Sequence, residues 1–168
     1  MPELQVAVIA DTHRTAARAE DLPPEVYALC KSADVILHAG DITDRAVLDV
    51  LGRYAAVHAV LGNNDRGLEE ELPERLELDL AGVAVAMVHD SGPAKGREAR
   101  LHRMFPTAGV VVFGHSHIPW DTVGVDGQIL FNPGSPTQRR RQPVATCGRL
   151  VLADGAVVRR EIIPIHSA

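Results

Sequence analysis

The sequence predicts a layered α/β fold, with a mixed sheet divided into two packed sheets and helices on the outside, on three observations. The N-terminal half repeats a unit of short apolar run, polar break and helical stretch, which is the pattern of βα units with buried parallel strands. After residue 70 the punctuation changes to pairs such as Ala81-Gly82, Asp126-Gly127 and Asp154-Gly155 between apolar runs, which are hairpin signals. The chain has 168 residues, 46% of them hydrophobic and 23% charged, which suits a single domain spanning 1–168 with one substantial core.

Taken in order, Leu4–Ala10 is apolar apart from Gln5 and reads as the first strand, Val35–Ala39 as the second and Ala55–Leu61 as the third. A helix over Pro24–Lys31 carries its proline in the first turn, where the missing N–H costs nothing. Asp44–Leu51 places apolar residues at helical spacing behind a cap, Thr43 or Asp44. Leu76–Leu80 and Val83–Val88 form a hairpin, Lys95–Met104 a helix and Val110–Phe113 a further strand. Pro164–Ala168 reads as a loose tail.

Composition excludes several functions. A net charge of -5 argues against nucleic acid as a stable partner, because that task needs a basic face to displace counterions. No apolar run approaches the roughly 20 residues that cross a bilayer, and Met1-Pro2-Glu3-Leu4 lacks a basic secretory start. A soluble, cytoplasmic protein is expected. Cys30 and Cys147 have no metal-pair spacing and read as buried apolar groups of a reducing compartment.

The chemistry lies in where polar residues fall. Asp11-Thr12-His13, Gly40-Asp41, Gly62-Asn63-Asn64-Asp65, His89-Asp90 and Gly114-His115-Ser116-His117 each follow an apolar run. Loops beyond the carboxyl ends of strands are where α/β folds build sites. Three Asp or Asn oxygens and four imidazoles would meet there, a donor set suited to Mn, Fe or Zn rather than Ca. Seven ligands exceed one ion and suit two if a carboxylate is shared; Asp41, alone after a glycine on the middle strand, is the candidate bridge. Within Asp11-Thr12-His13 and His115-Ser116-His117, an extended backbone would point both ligands one way and the hydroxyl residue another. The preceding glycines permit sharp turns and close backbone approach. His38 reads as a satisfied core or supporting histidine, and His58, His102 and His166 as structural or solvated. Arg139-Arg140-Arg141 offers guanidinium forks that match phosphate, although a run of charge reads first as an exposed loop. Glu69-Glu70-Glu71 reads as solvated, and Asn132-Pro133-Gly134-Ser135 as turn chemistry first and a site element second.

Asp-x-His, Gly-Asp, Gly-Asn-x-Asp, His and Gly-His-x-His, in this order, resemble the calcineurin-type metallophosphoesterases. The short length, Asn64 and Phe131-Asn132-Pro133-Gly134-Ser135 resemble the small YfcE-type branch of bacteria and archaea, over about residues 6 to 136. The resemblance implies a four-layer α/β/β/α sandwich of two mixed sheets and two divalent metal ions, manganese first, with iron, zinc or nickel as alternatives. One ion would be held by Asp11, His13, Asp41 and His117 and the other by Asp41, Asn63, His89 and His115. Catalytic roles would fall to Asp41, Asn63, His89, Asp65 as an orienting group and Arg14 as a substrate contact. The implied activity is a phosphodiesterase on a small phosphate ester, with a metal-bridging hydroxide as nucleophile. A phosphomonoesterase or pyrophosphatase on the same site is an alternative. So is a non-catalytic protein-binding scaffold, like the eukaryotic retromer subunit that shares this fold. A homodimer through exposed hairpins is compatible with the chain. Two positions depart from the pattern: Asn64 stands where larger relatives have a leaving-group histidine, and Asp90 where relatives commonly have glycine. Imidazole ligands must be neutral, so activity and metal occupancy are expected to fall together below about pH 6.

Overall fold

The structure, a computed structural model, describes residues 2–166. Among the described residues, ten strands form two five-stranded mixed sheets. In the first, β1 (Leu4–Ile9), β2 (Val35–His38) and β3 (Ala56–Ala59) run parallel, and the antiparallel pair β9 (Ala145–Ala153) and β10 (Ala156–Ile165) extends it in the order β10-β9-β1-β2-β3. The second contains β4 (Arg75–Leu80), β5 (Val83–Val88), β6 (Val110–Val112), β7 (Trp120–Val123) and β8 (Ile129–Asn132), ordered β4-β5-β6-β8-β7, with β5, β6 and β8 parallel.

The two-residue period of the strands sorts their side chains into three apolar layers. Val6 and Val8 of β1, Leu37 of β2, Val85 and Met87 of β5, Phe131 of β8, and Leu150 and Leu152 of β9 meet between the sheets. Their alternates face outward. Ala7, Ile9 and Ile36 pack with Val26, Leu29 and Cys30 of α1 (Pro24–Lys31) and with Val47, Val50 and Leu51 of α2 (Arg45–Gly52). Ala86, Val111 and Leu130 pack with Leu101 of α3 (Arg97–Met104) and with Phe105. This is the expected α/β/β/α sandwich. β4 shows the pattern in miniature: Leu76, Leu78 and Leu80 pack on the inter-sheet core, while Glu77 and Asp79 point away.

The cap of α2 is Asp44, whose side chain accepts from the Ala46 N–H at 2.9 Å. All three hairpin dipeptides have two residues at positive φ, Ala81 at 51° with Gly82 at 82°, Asp126 at 53° with Gly127 at 79° and Asp154 at 51° with Gly155 at 78°, a conformation that suits turns matched to strand twist. α3 starts two residues later than the pattern suggests, behind a left-handed Gly96, and β3 is shorter than the apolar run that marks it. Cys30 and Cys147 are free and buried, and burial pushes both thiols up to about 12.

The expected loose tail is corrected in part. Pro164 and Ile165 belong to β10, paired with Thr146 and Ala145, and Ile165 is buried. The His166 N–H donates to Glu25 Oε2 at 2.8 Å. Because β10 is an edge strand, Pro164 removes no needed ladder donor. Residues 167 and 168 lie outside the described residues. Among the described residues, no helix is long and apolar enough to cross a membrane.

Candidate metal centre

All five polar clusters follow the C-terminal ends of strands, three on one sheet and two on the other, and they converge at one edge of the sandwich. Backbone bonds tie them together: Asp11 N–H to Gly40 carbonyl at 2.9 Å, His13 N–H to Asp41 carbonyl at 3.1 Å, and Gly114 N–H to His89 carbonyl at 3.0 Å. The approach is closer than a side chain at two glycines would allow. A Cβ on Gly62 would lie 2.2 Å from both the backbone N and Oδ1 of Asp41, and one on Gly114 would lie 2.8 Å from Asp11 Oδ2. Glycine here lets the strand ends approach one another.

The expected extended geometry of the alternating ligands is corrected. Asp11, His13, Asp41, His115 and His117 all have left-handed backbones, with φ of 56°, 45°, 57°, 72° and 63°. Such residues persist only where their surroundings over-determine them, and they cluster at functional sites. The intervening hydroxyls do point elsewhere: Thr12 Oγ1 meets His38 Nε2 at 3.0 Å, and Ser116 Oγ accepts from Ile118 N–H and Asn132 Nδ2.

The seven residues divide into two neighbouring sets. In one, His13 Nε2 lies 3.8 Å from Asp11 Oδ1, 3.5 Å from Asp41 Oδ2 and 3.3 Å from His117 Nε2, while His117 Nε2 lies 3.6 Å from Asp11 Oδ1. In the other, His89 Nε2 lies 3.4 Å from Asp41 Oδ1 and 3.0 Å from Asn63 Oδ1, which is 3.2 Å from His115 Nδ1. Asp41 therefore turns one oxygen to each set. Asp11 Oδ1 is also shared, lying 3.9 Å from His89 Nε2. Atoms each about 2.1 Å from a common ion would be about 3.0 to 3.5 Å apart, so these spacings are close to those of ligands around a cation.

Two observations say that the donor set fits cations. Asp11 Oδ1 is buried without a hydrogen-bond partner, an expensive arrangement for a carboxylate unless a cation faces it. Asn63 Oδ1 lies 3.0 Å from His89 Nε2 and 3.2 Å from His115 Nδ1, and the reversed amide would donate to both rings and to both Asp41 oxygens. With its oxygen inward, Asn63 offers a cation among these atoms one more acceptor. The sets Asp11, His13, His117 and Asp11, Asp41, His89 each bring one ligand atom per residue within 4.8 Å of the others.

Electrostatics follow from burial and contacts. Burial opposes ionisation of Asp41, yet the His89 contact and the Asn64 N–H and Nδ2 donors, both at 2.9 Å, hold its carboxyl well below the usual range. His89 is opposed by burial but raised by Asp41, Asp11 and the Ala39 carbonyl. A proton therefore competes for its nitrogen at higher pH than in a free imidazole. Burial first, with Arg140 and His13, holds His117 below its ordinary value against the pull of the Gln138 carbonyl and Asp11. His89 Nδ1 donates to the Ala39 carbonyl and His117 Nδ1 to the Gln138 carbonyl, each at 2.7 Å. These bonds fix the tautomers that leave Nε2 free for a cation.

Asp65 is buried below the cluster and accepts three backbone N–H bonds, from Asp41 at 3.0 Å, Gly62 at 2.7 Å and Thr43 at 2.7 Å. Arg14 Nε donates to the Asp21 carbonyl at 2.8 Å, and among the described residues no side-chain contact joins it to the carboxylate–imidazole cluster. Asp90 is exposed, accepts from Gly92 N–H at 2.8 Å and lies 3.9 Å from His115 Nε2. The segment after β8 has a larger part than its turn residues suggest. Ser135 Oγ donates to the Asp11 carbonyl and Thr137 Oγ1 to the Thr12 carbonyl, each at 2.8 Å, and Asn132 Nδ2 donates to the Gly114 carbonyl at 3.1 Å. No spacing signal in the sequence points to these bonds, which span more than 120 residues for Ser135 and Thr137.

His38 is fully buried, its Nδ1 accepting from Gly40 N–H at 3.2 Å while Nε2 faces Thr12. Burial pushes this imidazole from 6.5 down to about 4. Between those values the unfolded chain binds a proton that the folded protein refuses, so stability falls with pH through this window, by about 3 kcal/mol in all. In urea titrations of metal-free protein, the stability gap between wild type and His38→Gln is expected to shrink as pH falls through that window. A gap independent of pH would contradict a neutral buried imidazole.

With this geometry in view, the chain matches the calcineurin-like phosphoesterase superfamily domain over residues 4–155, and it belongs to that family. It is 34% identical over 164 residues to a protein named a probable metallophosphoesterase in Methanocaldococcus jannaschii, covering 96% of this chain and 81% of that one. Among solved structures, an archaeal phosphodiesterase superposes with a TM-score of 0.71 at 18% identity, over 95% of this chain and 100% of that one. Vps29 of Entamoeba histolytica complexed with zinc superposes with a TM-score of 0.70 at 22% identity, over 97% of this chain and 100% of that one. At these identities the two superpositions show the shared fold.

Proposed function

We propose that this protein is a phosphodiesterase that works with two divalent metal ions in the cytoplasm, manganese being the first candidate. The observation that carries the reading is the pair of buried carboxylates, Asp11 and Asp41, set among four imidazoles with one carboxylate oxygen left without a partner. Asp11, His13, Asp41 and His117 would hold one ion and Asp41, Asn63, His89 and His115 the other, with Asp41 shared. Such ions, when bound, supply an acidified water for attack on phosphorus and positive charge for the phosphoryl oxygens. The chain's own groups do the positioning. Ala39 and Gln138 carbonyls orient His89 and His117, Asn64 holds both Asp41 oxygens, and Asp65 holds the backbone of Asp41.

Asn64 is a neutral amide already donating to Asp41, so it has no proton to give a departing alkoxide. Turnover is therefore expected to depend steeply on the leaving group, with an activated aryl diester cleaved far faster than an alkyl diester. The test is hydrolysis of bis(p-nitrophenyl) phosphate by protein loaded with manganese, iron, zinc or nickel, alongside metal analysis. Metal-dependent turnover supports the reading, and equal rates on aryl and alkyl esters would show that another group donates the proton. The scaffold alternative rests on the Vps29 fold likeness, and the complete set of donor residues favours the enzyme.

A further inference from the structure

The segment that crosses from β8 to β9 contains one arginine whose setting differs from most of the others. Arg18, Arg45, Arg53, Arg149, Arg159 and Arg160 each sit on a carboxylate. Arg139 is consumed in building a turn, its guanidinium donating to the Gln142 carbonyl at 2.8 Å and reaching the Arg140 carbonyl at 3.4 Å, with Gln142 N–H returning to the Arg139 carbonyl at 2.9 Å. At the tip Arg140 is exposed and adopts a left-handed backbone, φ 52°. A non-glycine residue there is strained, and Arg140 has no Asn- or Asp-like side chain to offset it locally. Its guanidinium makes no hydrogen bond or ion pair among the described residues.

The turn is not a free loop, because its root is fastened to the centre. Ser135 and Thr137 bond the carbonyls of Asp11 and Thr12, and Gln138, two residues before Arg140, grips His117. We propose that Arg140 is a substrate-binding residue of the centre, its guanidinium taking the non-bridging oxygens of the phosphoryl group. A planar fork with two parallel N–H groups matches a pair of phosphoryl oxygens, and a guanidinium sheds water more readily than an ammonium. In a chain of net charge -5, an arginine two residues from the Gln138 anchor, with no carboxylate partner among the described residues, is available to an anionic substrate.

The inference rests on the phosphoesterase reading, and the experiment separates the two. Binding of inorganic phosphate to manganese-loaded protein is measured by calorimetry for wild type, Arg140→Ala, Arg140→Lys and Arg141→Ala, with metal content determined for each. Arg140→Ala is expected to weaken phosphate binding by about 10- to 100-fold, the range for a bond to a charged group. KM for bis(p-nitrophenyl) phosphate should rise with it while metal content holds. Arg140→Lys should recover part of the loss, and Arg141→Ala should match wild type. Phosphate binding unaffected by Arg140→Ala, an equal loss in Arg141→Ala, or metal loss in Arg140→Ala would each overturn the proposal. Arg140-dependent phosphate binding without hydrolysis by wild type would leave this anion site standing and remove the enzyme. No phosphate binding by wild type would remove Arg140's role.

Discussion

Replacing Asp41 by alanine is expected to abolish metal-dependent hydrolysis of an activated aryl diester, a loss of at least about 10³-fold, since removing even one neutral oxyanion donor costs about 10² to 10³. Asp41 is the residue whose two oxygens face the two ligand sets, at 3.4 Å from His89 Nε2 and 3.5 Å from His13 Nε2. Its loss takes one oxygen from each cation position at once. Asp41→Asn makes the argument sharper, because an amide preserves size and can still accept from Asn64 while removing the charge. Both variants should lose bound manganese by metal analysis and keep the wild-type far-ultraviolet dichroism, since the apolar layers lie away from this edge. Unchanged turnover in either variant would end the enzymatic reading and favour the scaffold.

How far the sequence discloses the site depends on the range of the interaction involved. Strand positions are local facts: Val6 and Val8 alternate with Ala7 and Ile9, and the sheets sort them as that alternation dictates. The polar clusters are equally local, because each is a break at the end of an apolar run. What the chain does with them is not local. The left-handed backbones at Asp11, His13, His115 and His117 depend on ties to other clusters and to the 132–138 segment, so an extended Asp-x-His geometry is the natural expectation and is wrong. Arg14 adjoins His13 in sequence, yet its guanidinium follows the Asp21 carbonyl. Arg140 lies far from every ligand motif in the chain except through the turn rooted at Gln138. The end of β10 is hidden for a similar reason, since Pro164 and Ile165 fall in what reads as a tail and only pairing with β9 makes them a strand end.

Asp65→Ala should cost more stability than any other single change at the centre, and it should cost activity without removing a ligand. The Asp65 carboxylate is buried and accepts the N–H groups of Asp41, Thr43 and Gly62. Two of these residues, Asp41 at φ 57° and Thr43 at φ 81°, occupy left-handed backbone positions that need external support. Alanine would leave three N–H donors without their acceptor, at about 1 to 3 kcal/mol for each that stays buried and dry, and would release the strain that places the Asp41 oxygens between the two sets. We expect a loss of about 3 kcal/mol or more in urea unfolding of the metal-free protein. Metal affinity should fall by about 10- to 100-fold, the range for loss of a group that orients a ligand. Asp65→Asn separates the two effects: its one amide oxygen can keep one or two of the three N–H bonds, so it should recover stability in part while Asp41 stays imperfectly placed. If Asp65→Ala unfolds at the wild-type urea midpoint and binds manganese as tightly, the backbone of Asp41 is held by something other than this carboxylate.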